Sequence, residues 1–496
     1  MAAQVVTIYP NSTRARSRLA AAVASALLLS GFAHSQDNDS VDRMVATAAA
    51  RLLDHREPMV RGEAALVVAA RRAAEHNPRL LMLAQDAASE ARLRATLALG
   101  IAGTPGACQV LAPRLRNLGD RSGAEGVVAA YALGMLPEEI AGSTVSTLLA
   151  SLRQGNWRRQ SDVLVALLLA LRANPSRSQA TVLRQIWDDE SLRDGEVRAL
   201  LLEVLLPLDD LLANGRNGGA EAAAWRRLLE RGSDPERAAL LRYIAAAPTP
   251  VDAALIEPLL RVAAHASDPA QRVAALAALT RMRHLPALDL AAEALDDHAP
   301  TVMAQGMRSA LAIGGAGMRT VLENHLLHAD EAHLAALLPA YDAPPSPELA
   351  DLCARLATDL QRPLAVRATA AVALARGAND RAAPILRDLF RSARDPAVLP
   401  ALAGALCAPG TEPPALDRLL DGTGDLTDDP ERWQALLGVR HPEAIRLLLR
   451  VLDDPLAHPE HLRLALQLWR RATVVAAPHA PVGSVPTALR DLLGDR

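Results

Sequence analysis

Residues Asp268 to Leu279 read DPAQRVAALAAL, and this stretch decides the fold. Asp268 suits an N-cap, because its carboxylate can accept the unpaired N–H groups of a first helical turn. Pro269 suits the first helical position, where its missing N–H costs nothing. Val273, Leu276, Ala277 and Thr280 then recur at the spacing of one helical face, which predicts a helix buried along that stripe. The alanines are small. They let a neighbouring helix approach at the short end of the usual axis separation of about 8–10 Å.

Copies of this unit recur along the chain. Glu57-Pro58-Met59-Val60-Arg61 leads into GEAALVVAA, Ala91-Arg92-Leu93-Arg94 into ATLALG, and Gly126-Val127-Val128 into AAYALG. Asp194-Gly195-Glu196-Val197-Arg198, Asp234-Pro235-Glu236-Arg237, Pro363-Leu364-Ala365-Val366-Arg367 and Asp429-Pro430-Glu431-Arg432 follow the same plan. The arginine position falls at 61, 94, 128, 163, 198, 237, 272, 303, near 335, 367, 399, 432 and 463. Several copies are degenerate: the unit at 163 lacks the arginine, and DEAHLAALLPAY near 335 keeps only the apolar spacing. Steps of about 31 to 39 residues are the signature of stacked repeats.

The D-P-x-V-R-x-x-A-A-x-A-L pattern resembles the HEAT repeat, and its short step resembles the phycobilisome-lyase-type subclass. The resemblance covers roughly residues 41–475. It implies an all-α fold, an α-solenoid of about 13 stacked helix pairs forming a curved superhelix. Second helices would line the concave face, and the usual role is holding other macromolecules. It also implies that Arg61, Arg94, Arg198, Arg237, Arg272 and Arg367 stack one per repeat as a structural ladder. Their acidic counterparts at the turns are Glu57, Asp194, Asp234, Asp268 and Asp395. The competing reading of those arginines is a cationic strip for an acidic ligand.

Composition agrees with a thin, repetitive core. Half the residues are apolar, yet only 2% are aromatic. A large globular core would use more Phe, Tyr and Trp, whereas gaps between neighbouring helices can be filled by Ala and Leu. Trp157, Trp187, Trp225, Trp433 and Trp469 are read as plugs between helices. Every basic residue apart from histidine is arginine, so no lysine is present to form a Schiff base or a phosphate loop.

Residues 1–35 differ from the rest. Arg14, Arg16 and Arg18 precede an apolar run from Leu19 to Ala33, and Ala33-His34-Ser35 places small residues before Gln36. This is the pattern of a secretory signal peptide, and the run is short for a membrane span. The expected product is periplasmic or extracellular, with no integral span in the mature chain. The leader carries three arginines and no acid, so a chain at −3 overall leaves a mature portion at −6. That balance argues against a nucleic-acid partner.

The expected organisation is a leader over 1–35, a HEAT-like solenoid over 36–342, a Pro-rich break at 343–347, a second solenoid over 348–475 and an extended tail or cap over 476–496. Gly100, Gly103 and Gly134 are placed at helix C-caps. Asp209–Gly219 is read as a loop, and Gly314-Gly315-Ala316-Gly317 as a helix stop.

The motifs that could carry chemistry fall short. Asp421 to Asp429 resembles the start of a calcium loop, but Leu426 stands where glycine is needed and Arg432 where a bidentate glutamate belongs; Asp429 serves better as an N-cap. His325 and His328 lie one helical turn apart, with His333 beyond a helix end. Cys108, Cys353 and Cys407 form no CxxC pair and read as small buried apolar residues. No nucleophile stands at a recognisable spacing from a base. The expectation is therefore an exported scaffold, not an enzyme and without a cofactor, that binds a protein or peptide through its concave face and edge loops. The alternatives are a chromophore-lyase-like enzyme or chaperone, and an envelope component that oligomerises.

Overall fold

The computed structural model describes residues 37–116, 123–154, 161–189, 192, 194–213, 219–246, 252–377, 380–408, 413–420, 426–473 and 485–493. Among these residues the regular structure is helical throughout. The leader, Trp157, the loop centred on 214–218, most of the calcium-like loop and most of the 476–496 tail lie outside the described residues.

The helices follow in pairs. The first are α1 (Asp37–Arg51) and α2 (Pro58–Ala70), then α3 (Asn77–Leu83) and α4 (Ser89–Ala102), then α5 (Ala107–Arg116) and α6 (Ala124–Met135). Next come α7 (Glu138–Gln154) and α8 (Ser161–Ala173), α9 (Ala180–Trp187) and α10 (Gly195–Ala213), α11 (Gly219–Arg231) and α12 (Asp234–Ala246), and α13 (Ile256–His265) and α14 (Pro269–Arg281). The order continues with α15 (Ala287–Glu293), α16 (Pro300–His328), α17 (Glu331–Leu337), α18 (Pro347–Thr358), α19 (Leu364–Arg376), α20 (Ala382–Ser392) and α21 (Leu399–Leu406). It closes with α22 (Pro430–Gly438), α23 (Pro442–Asp453), α24 (Pro459–Thr473) and α25 (Thr487–Leu493).

The chain divides into two compact units. The larger comprises 34–284 and 423–496, and so joins the two ends of the sequence; the smaller holds 285–422. In the larger unit the second helix of each pair packs side by side with the next, in the order α22, α24, α2, α4, α6, α8, α10, α12, α14. The C-terminal helices α22 and α24 therefore extend the row beyond its N-terminal member α2. In the smaller unit α16, α17, α19 and α21 form the corresponding row.

Close packing within the row is made by small residues. A Cβ on Gly100 would overlap the Ala132 carbonyl, and one on Gly134 would lie 2.7 Å from the Ala170 Cβ. Gly100 and Gly134 thus sit inside helices at contact points, not at the C-caps expected of them. Gly103 does cap α4, in the left-handed conformation at φ 66°. At the equivalent end of α14 and α22 an arginine takes that conformation, Arg283 and Arg440, and the next N–H reaches back to Leu279 and Leu436 in the Schellman manner.

The decisive stretch folds as α14. Asp268 accepts the Ala270 N–H at 3.0 Å and Pro269 opens the helix. Its buried face is displaced from the stripe expected, with which it shares only Leu276. Gln271, Ala275, Leu276, Ala278 and Leu279 are buried, whereas Val273, Ala277 and Thr280 are only partly so. Helix α14 ends its row and packs on α12 and on the outer α13, so the face turned to those two helices is the buried one.

One further expectation changes and one holds. Asp209 to Ala213 continue α10 in place of beginning a loop. The glycine-rich stop lies within α16, which is broken at Gly315, where φ 60° and ψ −145° suit only glycine. The Pro-rich run 343–347 lies inside the smaller unit and leads into α18, with Ser346 capping the Leu349 N–H.

Candidate functional site

The expected arginine ladder lies at the turns leading into the second helices. Arg61 donates from Nη1 to the His55 and Arg56 carbonyls at 2.8 and 2.9 Å, and pairs with Asp86 of the following repeat at 2.8 Å. Arg92 does the same one repeat on. It reaches the carbonyls of Asp86 and Ala87 and pairs with Glu125. Each arginine thus satisfies the turn ahead of its own helix and ties it to the next repeat. Arg198 repeats the plan with the Trp187 carbonyl and Glu236, and lies 4.1 Å from the Trp187 ring centroid. Arg272 reaches the Ala266 carbonyl at 2.8 Å, and Arg367 the Ala357 carbonyl at 3.3 Å.

The register of one repeat differs from the expected series. Arg92 holds the turn position, and Arg94 lies two residues further along, pointing to Glu63. The acidic partners divide as well. Asp194 and Asp268 accept backbone N–H groups of the helices they precede, and Asp395 accepts the Ala397 N–H in the turn ahead of α21. Asp234 pairs with Arg237 within one turn and also accepts from Gln271 of the next repeat. Glu57 forms the N-terminal boundary of α2 without a side-chain cap.

Two polar clusters were not foreseen. The first joins the ends of the sequence within the larger unit. Glu63, fully buried in α2, accepts from Arg94 at 2.9 Å, Gln467 at 3.2 Å and Arg470 at 3.2 Å. Burial lowers the Arg470 pKa, opposed mainly by the charge of Glu63. Asp42–Arg440 and Arg51–Asp453 pairs, both at 2.7 Å, add to the junction. A lone glutamate inside the otherwise apolar run GEAALVVAA was the available signal, since a charge there must find a partner.

The second cluster binds the Pro-rich run in the smaller unit. Tyr341 is fully buried; its hydroxyl donates to Glu323 and accepts from Arg319, and its carbonyl accepts from Arg376. Glu323 also accepts the Ser346 N–H at 3.2 Å, and Arg319 reaches the Pro344 carbonyl. Burial first, and then the Glu323 carboxylate, push the Tyr341 hydroxyl up to about 12.

The remaining candidates are engaged locally. His333 contacts Asp330, His328 contacts the Asn324 carbonyl, and His325 lies 3.8 Å from Asp296. Among the described residues no group of three or more His, Cys, Asp or Glu is placed to share an ion. Asp429 caps α22 through the Arg432 N–H. Burial pushes the Cys353 thiol up to about 12 and that of Cys407 to about 11. Trp225, Trp433 and Trp469 are buried, and the Arg440 guanidinium lies 4.4 Å from the Trp469 ring centroid. A cleft of about 350 Å³ in the larger unit is lined by Glu230, Asp234, Arg237, Arg261, His265 and Gln271. Its charges are of both signs and pair with one another or with neighbours such as Glu257.

Stacked helix pairs tied by a recurrent arginine point to one repeat type. Residues 45–125 match the family model for HEAT repeats. The matched residues span most of α1 through α5, and the packing of helix on helix continues beyond them in both units. Among solved structures, the chain is similar to a mutant of Kap121p at 12% identity and a TM-score of 0.26, over 97% of this chain and 54% of that one. The chain therefore spans about half the length of that protein. No curated protein matches it. Among the described residues no helix is long and apolar enough to cross a membrane.

Proposed function

We propose that this chain is an exported, non-enzymatic scaffold that holds a protein or peptide partner on its helix stack. The observation that carries the reading is the stack itself. HEAT-like repeats spend their charged side chains on tying one pair to the next, and they leave an extended surface of edge turns and helix faces. Some of those turns present large apolar side chains to solvent, such as Leu456 at 91% exposure and Leu360 at 77%. Among the described residues, thiols kept protonated by desolvation and mutually paired charges supply no activated nucleophile. The short step between repeats supports placing the array with the phycobilisome-lyase-type subclass of HEAT repeats. The arginines at 14, 16 and 18, the apolar run and the small residues before Gln36 support export.

The test is crosslinking of the tagged full chain in its native envelope, with identification of the captured protein and of the chain's mature N-terminus. A specific partner and an N-terminus at Gln36 are expected. An uncleaved chain in the cytoplasm would overturn export, and the absence of any enriched partner would overturn the scaffold.

A further inference from the structure

Helix α6 is buried along its whole middle, as is its neighbour α8. Every residue from Gly126 to Gly134 is buried. Helices α4 and α8 flank it, and α5 and α7 also pack on it. The chain's last helix, α25, packs on it too. This helix has seven residues, TALRDLL. Leu489 and Leu492, one turn apart, are 0% and 5% exposed, whereas Thr487 faces solvent. Arg470 of α24 donates to the Leu492 carbonyl at 2.8 Å, so the stack satisfies the C-terminal end of the docked helix.

A helix this short does not hold itself in water. Its helicity is supplied by the surface on which it lies. That surface reads two leucines at i and i+3 and a free carbonyl at a helix end, features that a short amphipathic helix of another protein also offers.

We propose that the α25-covered face of α6 is a docking site for a partner's short amphipathic helix carrying leucines at i and i+3, and that α25 occupies the site in cis. This rests on the scaffold reading and names the surface and the ligand. A partner then competes with α25, and its apparent affinity is reduced by the fraction of chains in which the site is closed.

The probe is a fluorescein-labelled peptide of residues 485–496, titrated by anisotropy into the full chain and into a full-length Leu489→Asp/Leu492→Asp variant. Saturable binding to the variant, at least about tenfold tighter than to the wild type, is expected. No saturable binding to the variant, or equal affinity for both chains, overturns the proposal. If the aspartates unfold the chain by circular dichroism, the Leu489→Ala/Leu492→Ala variant is judged by the same criterion. On the wild-type chain, excess unlabelled peptide should accelerate hydrogen exchange in 487–493; unchanged protection overturns the proposal independently of any variant. Equal capture of the envelope partner by wild type and variant would sink this inference and leave the scaffold standing. Peptide binding that meets the criterion, in a chain that captures no partner, would support the site while the scaffold falls.

Discussion

Glu63→Ala is expected to open the junction between the ends of the chain while leaving the middle of the larger unit intact. The Glu63 side chain is 1% exposed, and those of Arg94 and Arg470 are 13% and 12% exposed. Removing the carboxylate strands two largely buried guanidinium groups and the Gln467 amide. Breaking a buried ion pair from one side costs about 3–5 kcal/mol. At about 1.4 kcal/mol per factor of ten, the local opening equilibrium rises by roughly two to nearly four orders of magnitude. The assay is native-state hydrogen exchange resolved to peptides. Protection should fall in α24, which meets α2 at this cluster, and in α25, whose Leu492 carbonyl accepts from Arg470, and should persist in α8 to α12, because stacked repeats interact chiefly with their neighbours. The combined Glu63→Leu, Arg94→Met and Arg470→Met variant should regain most of the lost protection, since an apolar cluster of similar volume carries no desolvation cost. Protection of α24 within about threefold of wild type, or a loss spread evenly from α8 to α14, would refute the reasoning.

Three further outcomes follow from particular contacts. Gly100→Ala should destabilise the chain by about 1–3 kcal/mol in urea unfolding, because the new Cβ meets Ala132 backbone. Gly404→Ala, with nothing within 4 Å, should stabilise it by up to about 1 kcal/mol through helix propensity; the opposite signs are the check. Burial alone would raise the Glu323 pKa, but hydrogen bonds from Tyr341, Ser346 and Arg319 together hold it below the ordinary glutamate value of 4.5. Its stabilisation is therefore present above pH 4.5 and lost as pH falls through the lower folded value, so exchange protection around 338–347 should drop on acidification below 4.5, and less so in Glu323→Gln. Cys353 and Cys407 should resist thiol reagents at pH 8 in the folded chain and react on unfolding, since burial keeps both protonated there.

Helix type, repeat identity and the N-cap at Asp268 were legible in the sequence, because they are local. A proline after an aspartate, and alanines and leucines at helical spacing, act within one turn, and Asp268 caps α14 as read. The repeat step was legible because each unit is too small to bury its own apolar side. The register of Arg92 over Arg94 was not, since both arginines fit the spacing and only the turn carbonyls of Asp86 and Ala87 choose between them. Gly100 and Gly134 looked like caps because a glycine's use depends on what approaches it, and the approaching helix belongs to the next repeat. The Glu63 cluster joins residues about 400 apart in the chain, a pairing no local pattern encodes. Short-range sterics and hydrogen bonding wrote the helices and their stacking into the sequence. Which repeats meet, and what lies over α6, depend on how many small rotations accumulate along the row, and only the tertiary structure decides that.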